Sequence, residues 1–285
     1  MTATSKKRAL LIAGPTASGK SALALELARK RHGVVINADA LQVYAPLRIL
    51  TARPTGEDEA QAPHRLYGHV AAEQPYSAAA WVSEASREMA KAWEEGLLPV
   101  LTGGTGLYFR ALERGLAPVP EIPEAIRGKW RSYEGDLHAE LRRRDPAMAE
   151  TLSPGDRQRL TRALEVVEAT GRSLLDWQRE GEHQAPLAGV ETERIFMEVP
   201  RDELYARADA RFAAMIERGA LEEARGLMGL DPRLPVMKAI GLPELIAHLE
   251  GRMSIDEAIA RARTATRNYI KRQLTWWRGQ MAHWR

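Results

Sequence analysis

Gly14-Pro15-Thr16-Ala17-Ser18-Gly19-Lys20-Ser21 stands between the apolar run Ala9 to Ala13 and a helical pattern that begins at Ala22. The stretch reads G-x-x-x-x-G-K-S, a phosphate-binding Walker A loop in its required setting of strand, glycine-rich turn and helix. Glycines at both ends let the backbone turn tightly enough for successive N–H groups to converge on phosphate oxygens. Lys20 contributes a point charge, the Ser21 hydroxyl is a candidate Mg²⁺ ligand, and the helix turns its positive dipole end toward the same anion. A diphosphate or triphosphate group is therefore expected here. The motif leaves open what happens to it, since kinases, hydrolases and enzymes that expel diphosphate can all use such a loop.

Bulk composition narrows the setting. A chain of 285 residues with 45% hydrophobic content builds a substantial core as one large domain, or one domain with an insertion. Cysteine is absent, which excludes disulfides and thiolate metal sites and leaves oxygen or imidazole to hold any metal. No apolar run approaches bilayer length, and Met1 to Arg8 lacks the hydrophobic segment of a secretory signal, so a cytoplasmic protein is expected, with no membrane partner. The net charge is only +3, but arginine clusters locally, which points either to a polyanionic partner or to a solvated face.

Beyond the loop helix, Val34-Val35-Ile36 reads as a buried parallel strand ending in Asn37-Ala38-Asp39. In an open parallel sheet the residues just past the carboxyl end of a strand face the ligand crevice, so Asp39 is expected beside the phosphate loop. Leu41 to Pro54 is a non-repetitive candidate substrate loop. Apolar spacing from Ser77 to Glu95 predicts a helix stopped by Gly96, and Leu97 to Leu101 a third strand running into Gly103-Gly104-Thr105-Gly106. That second glycine-rich turn puts Thr105 in the same crevice. The alternation predicts an α/β fold: a P-loop, doubly wound parallel sheet core.

Prolines between Ala117 and Pro123 break the pattern, and from there to about Gly189 the chain reads as helices only. The expected organisation is a first core segment over 1–117, an inserted all-helical domain over 118–190 and a second core segment over 191–285. The last segment opens with a return strand at Arg194 to Val199 and closes with a helix from Ser254 to about Trp277, started by a capping box of Ser254 and Glu257. In the insert, Leu160, Ala163, Leu164 and Val167 form an apolar stripe, with Arg157, Gln158, Arg159 and Arg162 on the polar sides. Arg127, Lys129, Arg131 and the run Arg142 to Arg144 interleave with Trp130 and Tyr133. Such a mixture suits RNA, and it equally suits a helix pair with core aromatics facing water. Arg263, Arg267, Lys271 and Arg278 make a second basic stripe on the closing helix.

Several stretches taken together resemble the tRNA dimethylallyltransferases, also called tRNA isopentenyltransferases: GPTASGKS at 14–21, INADALQVY at 36–44, TARP at 51–54, APHRL at 62–66, GGTGLYFRAL at 103–112, DRQRLTRALEV at 156–166 and KRQLTWWRG at 271–279. They occur in the family's order and cover nearly the whole chain. The family's usual Lys is Arg53 here, which keeps the charge. Lys238 to Glu244 lacks an aromatic and an Arg usual at that place. The chain ends soon after Trp284 without a zinc-finger extension, so the resemblance is to the bacterial type.

The resemblance implies transfer of a dimethylallyl group from dimethylallyl diphosphate to N6 of the adenosine just 3′ of the anticodon in tRNA, with release of diphosphate and with Mg²⁺ as cofactor. Gly14 to Ser21 would hold the diphosphate, though such a loop can also take ATP. Asp39 would be the base, with Lys20, Ser21, Thr105 and Arg211 completing the catalytic set. Asp39, Ala40, Leu41, Gln42 and Thr105 would meet the extruded adenosine. Arg127, Gln158, Arg159, Leu160, Thr161 and Arg162 would grip the anticodon stem-loop, and a monomer is expected. Two rivals use the same loop: a small-molecule P-loop kinase, and an isopentenyltransferase acting on free adenine nucleotides.

Overall fold

A computed structural model describes residues 6–181 and 185–284. Contacts divide the chain into two compact units, one running to Arg110 and resuming at Gly189, the other spanning Ala111–Ala188.

In the first unit β1 (Arg8–Ala13) leads through the glycine loop into α1 (Lys20–Lys30). There follow β2 (Gly33–Asn37), α2 (Gly56–Gln61), β3 (His64–Arg65), α3 (Ala78–Glu94) and β4 (Leu98–Gly103), after which α4 (Gly106–Arg114) begins in this unit and ends in the second. Among the described residues, five parallel strands lie in the order β3-β2-β4-β1-β5, with β5 at Glu191–Phe196. This is the doubly wound class that the alternation predicts. From Leu10 to Ala13 and Val34 to Ile36 each residue is at most 1% exposed. Strands covered on both faces leave no place for polar alternation, and so read as continuous apolar runs.

Pairing aligns the strands' carboxyl ends: Ala13 lies opposite Gly103 and Phe196, and Asn37 opposite Thr102. Gly103 has no room for a side chain, because a Cβ there would stand 2.0 Å from the carbonyl oxygen of Ala38. The first turn after β2 and the turn after β4 thus press together backbone against backbone.

The second unit holds α5 (Glu124–Arg131), α6 (Leu137–Arg144), α7 (Pro146–Glu150), α8 (Arg157–Thr170) and α9 (Leu174–Gly181). Its core joins Trp130, Leu141, Met148, Leu160, Ala163, Leu164 and Val166. Asp136, Asp145 and Asp156 accept from backbone N–H groups to start α6, α7 and α8.

Back in the first unit, α10 (Arg201–Glu217), α11 (Ala220–Arg225), α12 (Leu242–Leu249) and α13 (Ile255–Gln280) complete the chain. Phe212, Ala220, Ala224, Leu242, Ala258 and Ala262 pack with Val43, Tyr44 and Leu47 from the segment after β2.

Three expectations need correction. The return strand begins at Glu191, not Arg194, because its register on β1 runs from Arg8↔Glu191 to Ala13↔Phe196. As an edge strand it carries Glu191, Glu193 and Arg194, which conceals it from a reading based on hydrophobicity. Only half of the capping box on α13 forms: Ser254 accepts from Glu257 N–H at 3.2 Å, while the Glu257 carboxylate pairs with Arg261 at 2.6 Å. In α8, Val166 is buried and Val167 is not, and Leu160 is 1% exposed. The side chain of Leu160 therefore belongs to the core and has no surface to offer RNA.

Candidate active site

One strained residue shapes the loop after β1, Ala17 at φ 64°, and Gly19 follows at φ 88°, a conformation glycine adopts without strain. Left-handed backbone at a non-glycine residue costs about 1 kcal/mol or more, and it persists where the surroundings hold it. Here they do. Thr16 N–H donates to Gln273 Oε1 at 2.9 Å, and Thr16 Oγ1 accepts from Arg211 Nη2 at 2.5 Å. Lys20 Nζ turns back to the carbonyl of Pro15 at 3.2 Å.

Burial lowers the pKa of Lys20 to about 8, with Asp39 opposing the shift and Arg211 adding to it. Arg211 is likewise lowered by burial and raised by Asp39. The two cations and Asp39 therefore feel one another's charge.

Asp39 is held by short-range geometry. The amide of buried Asn37 accepts from Asp39 N–H at 2.9 Å and donates to the carbonyls of Asp39 and Leu66, both at 3.0 Å. One carboxylate oxygen of Asp39 accepts from Leu41 N–H at 3.0 Å. The other, Oδ2, has no hydrogen-bond partner among the described residues and faces the second glycine turn. A methyl group placed on Gly104 would stand 3.6 Å from Asp39 Oδ2, 3.6 Å from the carbonyl of Gly14 and 2.4 Å from Gln273 Nε2. The sequence thus places Asp39 beside the loop, as its position after β2 demands. Thr105 joins it there, accepting from Ala40 N–H at 3.0 Å while its own N–H reaches the carbonyl of Ala38 at 3.3 Å.

Gln42 has backbone partners of its own. Its amide donates to the carbonyls of Thr51 and Ala52 at 2.8 and 3.2 Å, which ties it to the segment Leu41 to Pro54. That segment is anchored in turn by Glu223, whose carboxylate accepts from the N–H groups of Arg48, Ile49 and Leu50 at 2.8, 2.5 and 2.9 Å. Arg53 crosses Gly68, itself at φ 55°, so closely that a Cβ on Gly68 would fall 2.0 Å from Arg53 Nη1. Arg53 also donates to the carbonyls of Tyr44 and Ala45 at 3.3 and 3.1 Å.

Three tyrosines feel the charge of that carboxylate. Tyr67, Tyr108 and Tyr269 all have pKa values raised first by burial and next by the charge of Asp39. Tyr108 stacks on buried Trp81, with ring centroids 4.1 Å apart, and Trp81 Nε1 donates to the carbonyl of Asn37 at 2.8 Å. Sequence reading assigned none of these tyrosines, nor Gln273, to the site. Their signal lies in their company: Tyr67 follows APHRL, Tyr108 closes GGTGLY, and Tyr269 and Gln273 flank the start of KRQL.

The donor set is compatible with Mg²⁺ under one condition. Among the described residues, no group of three His, Cys, Asp or Glu could cage a metal. Hydroxyls are at hand: Ser21 lies in the first turn of α1, and the buried Ser18 Oγ and Thr102 Oγ1 have no partner among the described residues. Mg²⁺ commonly keeps several waters and takes much of its coordination from substrate phosphates, so it fits here as the companion of a bound diphosphate.

A family model described as IPP transferase matches residues 42–280, and one described as isopentenyl transferase matches residues 7–72. The chain belongs to the tRNA dimethylallyltransferase family. A tRNA dimethylallyltransferase of Nitrobacter hamburgensis is 55% identical, over 97% of this chain and 89% of that protein. The full-length tRNA isopentenylpyrophosphate transferase of Bacillus halodurans is 32% identical with a TM-score of 0.70, over 97% of this chain and 88% of that one. A eukaryotic dimethylallyltransferase acting on tRNA has a TM-score of 0.82 at 27% identity, over 95% of this chain and 70% of that one. As a member of this dimethylallyltransferase family, the protein is an enzyme. Among the described residues no helix is long and apolar enough to cross a membrane.

The family's RNA-facing candidates lie in the second unit. Gln158 and Arg159 are exposed at the start of α8, and Arg162 is half-buried one turn on. Arg162 and Arg131 both reach buried Glu165, at 3.5 and 3.4 Å. Lys129 and Arg144 share Glu168 at 2.8 and 3.4 Å, and Trp130 Nε1 donates to the same carboxylate at 3.0 Å. Arg127 has no carboxylate partner among the described residues, and its buried Nε makes no hydrogen bond there.

Proposed function

We propose that this enzyme transfers the dimethylallyl group of dimethylallyl diphosphate to N6 of the adenosine adjacent to the anticodon of tRNA, releasing diphosphate in the cytoplasm. One observation carries the reading of the site: Asp39 Oδ2 and the carbonyl of Gly14 in the phosphate loop each lie 3.6 Å from one point at Gly104, so the carboxylate and the loop border the same crevice. A base and an anion cradle are thereby brought side by side, as the union of a nucleophile with an allylic carbon requires.

In this reading the diphosphate rests on the N–H groups of the loop and the first turn of α1. Lys20 and Arg211 face the charge that grows on the leaving oxygen as the C1–O bond breaks. N6 of the unstacked adenine attacks C1, the new C–N bond forms, and Asp39 Oδ2 accepts the N6 proton. Thr105 and the Asn37 amide hold the Asp39 segment so that the carboxylate is aimed before substrate arrives. Mg²⁺, when bound beside the Ser21 hydroxyl, supplies further neutralisation of the diphosphate. Arg127, Gln158, Arg159, Thr161 and Arg162 supply the contacts to the anticodon stem-loop.

The test offers labelled dimethylallyl diphosphate and Mg²⁺ with unmodified tRNA, AMP or no acceptor in turn. Label is expected in tRNA and, after nuclease digestion, on N6 of the adenosine following the anticodon. Label in AMP with none in tRNA would overturn the tRNA reading. ATP consumption driven by a hydroxyl compound would favour a kinase.

A further inference from the structure

We infer that Gln273, on α13, is a positioning residue that sets the distance between the diphosphate cradle and the acceptor side of the crevice; the inference rests on the reading proposed above.

Gln273 is 7% exposed, although a polar amide at a buried helix position is costly unless both of its halves are satisfied. Both are. Oε1 accepts from Thr16 N–H of the phosphate loop at 2.9 Å, and Nε2 donates to the carbonyl of Gly104 in the second glycine turn at 3.0 Å. One side chain therefore joins the loop ending β1 to the loop ending β4. These are the two loops between which the reacting atoms would meet.

The bridge extends in both directions. Thr16, held by Gln273 through its N–H, takes Arg211 on its hydroxyl at 2.5 Å, so the loop position that receives Gln273 also receives a diphosphate-facing cation. Gly104 adjoins Thr105, whose hydroxyl holds the backbone of Ala40 next to Asp39. Gln273 contacts neither reacting group; it acts through Thr16 and Gly104.

Chemistry narrows the residue type. The site asks for an acceptor and a donor at the two ends of one neutral, planar group. Glutamate keeps the acceptor, loses the donor and adds negative charge beside the diphosphate. Methionine keeps the length and loses both bonds. Glycine at 104 belongs to the same device, because a Cβ there would meet Gln273 Nε2 at 2.4 Å.

The experiment measures steady-state prenyl transfer, with separate KM values for dimethylallyl diphosphate and tRNA, in the wild type, Gln273→Met, Gln273→Glu, Gly104→Ala and the double variant Gly104→Ala/Gln273→Met. Folding is monitored by thermal melting. Misplacement of about 1 Å can cost on the order of 100-fold, so Gln273→Met should lower kcat by about 10- to 100-fold and leave KM for tRNA within about threefold. Gln273→Glu should in addition raise KM for dimethylallyl diphosphate. Gly104→Ala should be impaired alone but add little in the Gln273→Met background, where the side chain is no longer tethered to Thr16 and Gly104 and can turn away from the added methyl group. A folded Gln273→Met or Gln273→Glu enzyme with wild-type kcat would overturn the proposal, as would full additivity of Gly104→Ala and Gln273→Met. Should Gln273→Met fail to fold, the Gln273→Glu and Gly104→Ala enzymes decide by the same kcat criterion. A wild type unable to transfer the prenyl group would overturn the underlying reading and this proposal together; an active wild type with an unimpaired Gln273→Met would overturn this proposal alone.

Discussion

The crevice of the first unit and the cationic surface of the second manage polar groups in opposite ways. In the crevice, Asn37, Thr105, Gln42 and Gln273 spend their hydrogen bonds on backbone atoms of neighbouring loops, so each side chain fixes a piece of main chain. In the helical unit Arg131, Arg162, Lys129 and Arg144 lean on two glutamates, side chain to side chain, at partly exposed positions. The first arrangement costs little reorganisation when charge develops, as catalysis requires. The second leaves its cations at partly exposed positions, where the proposed contact with a polyanion would add phosphates as further partners.

The largest test of that contrast removes the base. Asp39→Ala should reduce kcat by about 10²- to 10⁴-fold while tRNA affinity measured by filter binding changes little; equal losses in both would erase the distinction between the two regions. Next, Lys20→Met should abolish tight diphosphate binding, yet raise the melting temperature of the ligand-free protein. The sign follows from the pKa lowered to about 8. Between about pH 8 and 10.5 the unfolded lysine binds a proton that the folded one does not, so this group's burden on stability is full below pH 8 and relieved as pH rises to 10.5. For the same reason diphosphate affinity should fall above about pH 8 in the wild type, and calorimetry in buffers of different ionisation heat should show proton uptake on binding there.

Effects in the helical unit should be smaller. Glu168→Gln weakens the acceptor of buried Trp130 and loosens two cations, so a loss of about 1–3 kcal/mol in denaturant unfolding is expected. Arg127→Ala should reduce the slope of log K against log salt by about 0.7 for one phosphate contact. Arg162→Ala should reduce it by less, because Glu165 already partly neutralises that guanidinium; an unchanged slope in both would remove them from the RNA surface.

Much of this was legible in the chain. Buried parallel strands must be continuously apolar, so β1, β2 and β4 declare themselves, and their carboxyl ends point to Asp39 and Thr105. The edge strand β5, the two-residue β3 and the short α2 carry little hydrophobic signal, and register on β1 alone fixes where β5 begins. Gln273 escaped notice for another reason. Its two partners, Thr16 and Gly104, lie 257 and 169 residues away, and no local period reports a bond across such separations. Leu160 illustrates the converse: a motif gathers neighbours in sequence, whereas a helix sends every third or fourth residue inward.

The tight approaches at Gly68 and Gly103 bear on how such a chain is free to drift. At Gly103 the obstacle is the main chain of Ala38, which every amino acid shares, so no change elsewhere creates room. At Gly68 it is the guanidinium of Arg53, and a lineage that first shortens residue 53 gains room at residue 68, where the left-handed φ of 55° still restricts the choice to residues such as asparagine that tolerate it. The first position is closed to exploration, while the second is open only to histories that take their steps in the right order.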